Sequence, residues 1–133
     1  MTPEAFSYLS KARQCLANAR ISLTVDLSND AGRGAYLAAF HTSQAFIFEK
    51  TGKAARTHQG VQSELHRLAL NEPGIDKAFP PFLTQAYNLK AVADYETGEN
   101  SDIPPERSAA AIETASRFLK CIAALLGDES ETL

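Results

Sequence analysis

The chain has 133 residues, 44 % hydrophobic and 22 % charged, which makes one domain of ordinary globular composition with enough apolar mass for a core. A formal net charge of −3 argues against a dedicated nucleic-acid binder, and no apolar run approaches the roughly 20 residues of a membrane span. The polar start MTPEAFSYLSK lacks a signal-peptide pattern. Charge is uneven: residues 1–70 carry eight Lys/Arg against five Asp/Glu, and residues 71–133 carry five against eleven. That fits ordinary solvated helix faces, or else a mildly basic face of Lys11, Arg13, Arg20, Lys53, Arg56 and Arg67.

In chain order, the first expected element is an amphipathic helix from residue 3 to about 25. Phe6, Leu9, Leu16, Ala19 and Leu23 form its inward stripe and Pro3 its first turn. A short connection, Asp26 to Asp30, predicts an antiparallel hairpin with the next helix. That second helix, Asn29 to Gly52, is capped by Asn29 or Asp30 and stopped by Gly52 in a left-handed turn. It is apolar nearly all round, as a central helix would be. Arg33, His41, Thr42, Ser43 and Gln44 are the polar groups in its middle and need partners if buried.

Thr57 caps a third helix running to about Asn71, with Val61, Leu65 and Leu68 on one face. The fourth begins near Phe79-Pro80-Pro81, ends near Tyr95 and buries Phe82, Ala86, Leu89 and Ala93. An acidic loop follows, Glu96 to Ile103. Pro104-Pro105 opens the fifth, with Ile112, Ala115, Leu119, Ile122 and Leu126 inward and Gly127 as its stop. No alternating strand pattern occurs. The expectation is an all-α, up-and-down bundle of four long helices plus a shorter fifth helix, one domain over 1–127 with a frayed acidic tail over 128–133. Cys15 and Cys121 on apolar helix faces predict buried thiols in a reducing, cytoplasmic setting.

No phosphate-binding glycine loop, dinucleotide fingerprint, nucleophile elbow, CxxC or HExxH is present, so no cofactor is implied. His41, His58 and His66 lie on different segments and make a poor metal set. Tyr87, Lys90 and Asp94 share one stripe of the fourth helix at spacings of three and four. They form either a surface ion pair or a cation held by a carboxylate at a groove edge, where Lys90 stabilises a phosphate and Tyr95 stacks or donates. Arg33 in an apolar helix calls for a carboxylate, and Asp94 is the nominee. His41 reads as a packed histidine bonded to a neighbouring helix. His58, beside Arg56 at a helix start, is either a solvent-facing residue or part of an anion site.

Three strings in this order resemble the HEPN domain (higher eukaryotes and prokaryotes nucleotide-binding). They are Gly32-Arg33-Gly34-Ala35-Tyr36-Leu37-Ala38-Ala39-Phe40-His41, Arg56-Thr57-His58-Gln59-Gly60-Val61 and Lys90-Ala91-Val92-Ala93-Asp94-Tyr95. The likeness covers roughly residues 5–126. It implies a helical, often homodimeric protein commonly paired with a minimal nucleotidyltransferase as a toxin–antitoxin-like couple, and a metal-independent ribonuclease in many members. It would assign catalysis to Lys90, Asp94 and Tyr95, and nucleotide or phosphate binding to Arg33, Tyr36, His41, Arg56 and His58. A partner nucleotidyltransferase could adenylylate a motif tyrosine such as Tyr95. The ribonuclease motif of the family, Arg-x(4–6)-His, is altered: Lys90 replaces the arginine and no histidine follows it. The functions to weigh are a binding or toxin-type protein acting on RNA or a nucleotide, a ribonuclease borrowing a histidine from another helix, and a helical adaptor without ligand.

Overall fold

A computed structural model describes residues 1–95, 97 and 102–128. Among these residues every regular element is a helix: α1 (Pro3–Thr24), α2 (Ser28–Thr51), α3 (His58–Ala69), α4 (Phe79–Tyr95) and α5 (Pro105–Leu125). The short one is α3, at 12 residues. Most of the acidic loop, including Gly98, and the tail from residue 129 lie outside the described residues.

Helix α2 is the hub, in contact with all four others. Its start carries no side-chain cap: the helix begins at Ser28 after Leu27, so both candidates lie inside the first turn and take other partners. The Asn29 Oδ1 accepts from the Ile103 backbone N–H at 2.8 Å, and the Asp30 carboxylate accepts from Arg33 at 2.6 Å. Its end is as expected, with Gly52 at φ 71°, the left-handed conformation that glycine adopts without steric cost. Helix α1 is capped by Thr2, whose hydroxyl accepts from the Ala5 N–H. Its buried stripe is Ala5, Leu9, Ala12, Leu16 and Ala19. Phe6, expected inward, is 48 % exposed, and the small Ala5 is buried in its place.

Contacts between helix ends fix the directions. Thr2 bonds Glu49 and Tyr8 meets Phe48, so α1 and α2 run antiparallel. Arg20 pairs with Glu113 and Arg13 with Asp128, so α5 runs antiparallel to α1. Arg33 meets Asp94 and Tyr36 meets Tyr87, so α4 runs antiparallel to α2. The α5 residues expected inward are all buried, as are Phe82, Ala86 and Leu89 of α4. Asp128, the first residue of the expected tail, is buried with its carboxylate 3.1 Å from Arg13. Of the six residues of the candidate basic face, Arg13, Arg20 and Arg67 are each answered by a carboxylate, so no continuous basic stripe forms from them. No described helix is long and apolar enough to cross a membrane.

Candidate functional site

Two stripes face each other across the α2–α4 seam. On α2, Arg33 and Tyr36 stand one turn apart; on α4, Tyr87, Lys90 and Asp94 do the same. Helix α3 adds a third wall through its first residue. The Thr57 hydroxyl accepts from the Gly60 N–H at 3.0 Å, and a Cβ at Gly60 would lie 2.9 Å from that hydroxyl, so glycine leaves room for the cap. This cap fixes His58 at the helix start, where its ring stacks on Tyr87 at 3.9 Å and 19°.

The polar end of the seam is an ion cluster. Arg33 Nε donates to Asp94 Oδ1 at 2.7 Å and Arg33 Nη1 to Asp30 at 2.6 Å. Lys90 Nζ donates to Asp94 Oδ2 at 2.7 Å and lies 5.8 Å from the centre of the Tyr95 ring. The Lys90 and Arg33 hydrogen bonds hold the Asp94 carboxyl below the usual carboxylate range, and Asp94 in turn raises both Lys90 and Arg33. All of these charges stay in place at neutral pH.

The aromatic end is a proton-ordered pair. Tyr36 is buried, and burial pushes its phenol well above the ordinary tyrosine value, so the hydroxyl keeps its proton. Its partner is His58 Nδ1 at 2.9 Å. We assign the phenol proton to this bond, which makes Nδ1 the acceptor and places the neutral ring's hydrogen on Nε2. Burial lowers the His58 pKa and favours that neutral form. His58 is therefore a half-buried, oriented ring, in contrast to the solvent-facing reading.

The structure thus brings together Arg33, Tyr36, His58, Lys90, Asp94 and Tyr95. His41 does not join them. Its Nδ1 meets Gln44 Oε1 of its own helix at 2.7 Å rather than a neighbouring helix, and its other close charge is Lys11 of α1. Arg56 is exposed next to His58 with no ionic or hydrogen-bonding partner among the described residues. Two residues singled out in the sequence gain partners that it did not predict. Tyr87 supports His58, and Gln44 orients His41 by donating its Nε2–H to the Ala55 carbonyl at 2.8 Å. Gln44 carried a signal, being polar in the middle of a buried helix; the Tyr87–His58 stack joins residues on separate helices and carried none.

The chain is 33 % identical over 101 residues, 76 % of its own length and 72 % of the relative's, to a Methanocaldococcus jannaschii protein named "Putative toxin MJ0605". The HEPN domain model matches residues 6–126, spanning all five helices and every residue of the seam, and the chain belongs to the HEPN domain family.

Proposed function

We propose that this is a toxin-type HEPN protein that binds RNA or a nucleotide at the α2–α3–α4 seam. It acts as a homodimer with a minimal nucleotidyltransferase as its antitoxin-like partner. The observation that carries the binding reading is the convergence of Arg33 and Lys90 beside the Tyr36, His58, Tyr87 and Tyr95 rings. Cations suit phosphate and the rings suit bases, the pairing that single-stranded nucleic-acid sites use. The toxin character rests on the family and on the name of the archaeal relative. Fluorescence anisotropy with a labelled single-stranded RNA tests the site: binding that weakens at least about tenfold in Lys90→Ala and Tyr87→Ala supports it, and indifference to both variants removes it. Light scattering and co-purification with a nucleotidyltransferase encoded beside it test the assembly; a monomer with no such partner refutes that half.

A metal-independent ribonuclease is the second reading, and one observation favours it. His58 stacks on Tyr87, one turn along α4 from Lys90, which supports α3 as the source of the histidine absent from the Lys90 motif. Lys90 would stabilise charge on the phosphorane, and His58 would exchange a proton with the attacking or leaving oxygen. RNA cleavage in EDTA that is lost in His58→Ala and kept in His41→Ala is the expected result. Intact RNA after prolonged incubation at high protein concentration ends this reading and leaves the first one standing.

A further inference from the structure

Two cations from separate helices close on one carboxylate at the seam. Arg33 takes Oδ1 and Lys90 takes Oδ2, each at 2.7 Å. One oxygen per cation is the grip that the two non-bridging oxygens of a phosphate ester also accept, since both groups present a pair of charged oxygens on one central atom. The cluster is reachable: side-chain exposures are 33 % for Arg33, 27 % for Lys90 and 20 % for Asp94. Helix α4 also buries Phe79, Phe82, Leu83, Ala86 and Leu89, so this carboxylate is not its sole anchor. Elsewhere, the pairs Arg20–Glu113, Lys50–Glu72 and Arg67–Glu64 each set one cation against one carboxylate.

We propose that Asp94 is the internal occupant of a phosphate grip formed by Arg33 and Lys90, and that a phosphate-bearing ligand binds by displacing it. The inference rests on the phosphate-binding reading of the seam given above and adds its regulation. Displacement exchanges two charge-assisted bonds for two of the same kind, so phosphate alone gains little. The surplus must come from bases stacking on Tyr87 and Tyr95, which are 38 % and 74 % exposed. Asp94 thereby filters out free inorganic phosphate and admits nucleotides or RNA carrying both groups.

The test measures anisotropy with a labelled single-stranded oligonucleotide and calorimetry with inorganic phosphate, on folded protein checked by circular dichroism. Asp94→Asn is expected to bind the oligonucleotide at least about fivefold tighter than wild type and to bring inorganic phosphate into the measurable range. Glu4→Gln removes one negative charge in the first turn of α1, beside the end of α2 far from the seam, and is expected to change affinity by less than about twofold, which separates displacement from a general change in net charge. Asp94→Asn with Lys90→Gln is expected to return to wild-type affinity or below. Should Asp94→Asn not fold, Asp30→Asn, which removes one of the two carboxylates on Arg33 and leaves Asp94 on the other, is expected to tighten binding by about twofold, and no tightening there overturns the proposal. Wild-type binding that is unchanged or weakened in folded Asp94→Asn overturns the internal-occupant role while leaving the phosphate reading intact. Absence of oligonucleotide binding by every variant overturns both.

Discussion

Helix α2 works differently on its two sides. Toward α1 it is thin: a Cβ at Gly34 would stand 2.8 Å from the Ala19 Cβ and 3.4 Å from the Cys15 carbonyl oxygen. Toward α4 it carries Arg33 and Tyr36 with their charged and aromatic partners. The first side is held by shape, the second by specific polar contacts. Each side also has a histidine with a defined tautomer, and the two are opposite. At His41 the Gln44 amide has its nitrogen on the Ala55 carbonyl, so Oε1 faces the ring and Nδ1 carries the hydrogen. At His58 the Tyr36 hydroxyl donates to Nδ1, so Nε2 carries it. Burial lowers both pKa values, and the neighbour on Nδ1 decides which nitrogen keeps a lone pair.

The shape-held side should break most severely. Gly34→Val places branched carbons against Ala19 and the α1 backbone, with an expected loss of about 2–3 kcal/mol in denaturant unfolding. A loss under about 0.5 kcal/mol would mean that α1 shifts freely and that close packing is not what holds it. Gln44→Leu comes next. It strips the Ala55 carbonyl and the His41 Nδ1–H of their partner, costing about 1–3 kcal/mol, and it frees the His41 tautomer. Tyr36→Phe keeps the ring and removes one hydroxyl, at about 1 kcal/mol. Nitrogen-15 shifts of the imidazoles should show His41 protonated on Nδ1 and His58 on Nε2 in wild type. Each variant should scramble only its own histidine; a change at both would mean that the sides are coupled through α2.

How far the sequence reaches differs between these sides as well. Periodicity finds the helices to within a few residues, because apolar spacing reports which face must leave water. It placed Arg33 against Asp94 because a cation in an apolar helix requires an answering carboxylate, and α4 carried a suitable one. It misjudged Phe6, since hydrophobicity does not say whether a large or a small residue touches a close-packed neighbour. It misjudged the α2 cap, since Asn29 serves Ile103, 74 residues away in sequence. It left His58 open and read His41 as packed on a neighbouring helix, while the resemblance put His41 in the site, because nothing local to either residue encodes the Tyr36, Tyr87 or Gln44 partner that decides its role.

The smallest effect concerns pH and separates the ion cluster from the histidines. Asp94 is lowered by Lys90 and then by Arg33, so its contribution is present above the unfolded value near 3.9 and is lost as pH falls through the lower folded value. Lys90 is raised, so its contribution is present below about 10.4 and is lost only as pH rises through the folded value. Neither titrates between pH 7 and 5. The histidines do: with folded values lowered by burial, their contribution is complete above about 6.5 and is lost as pH falls toward those folded values. Melting temperature should therefore drop by a few degrees at most between pH 7 and 5 in wild type. Asp94→Asn should melt lower at both pH values with the same drop between them, whereas His58→Gln should show a smaller drop. If Asp94→Asn instead abolishes the drop, the Asp94 carboxyl titrates near neutrality. Its pKa would then be raised rather than lowered, which neither the Arg33 and Lys90 contacts nor a free aspartate near 3.9 gives, and the ion cluster would be refuted.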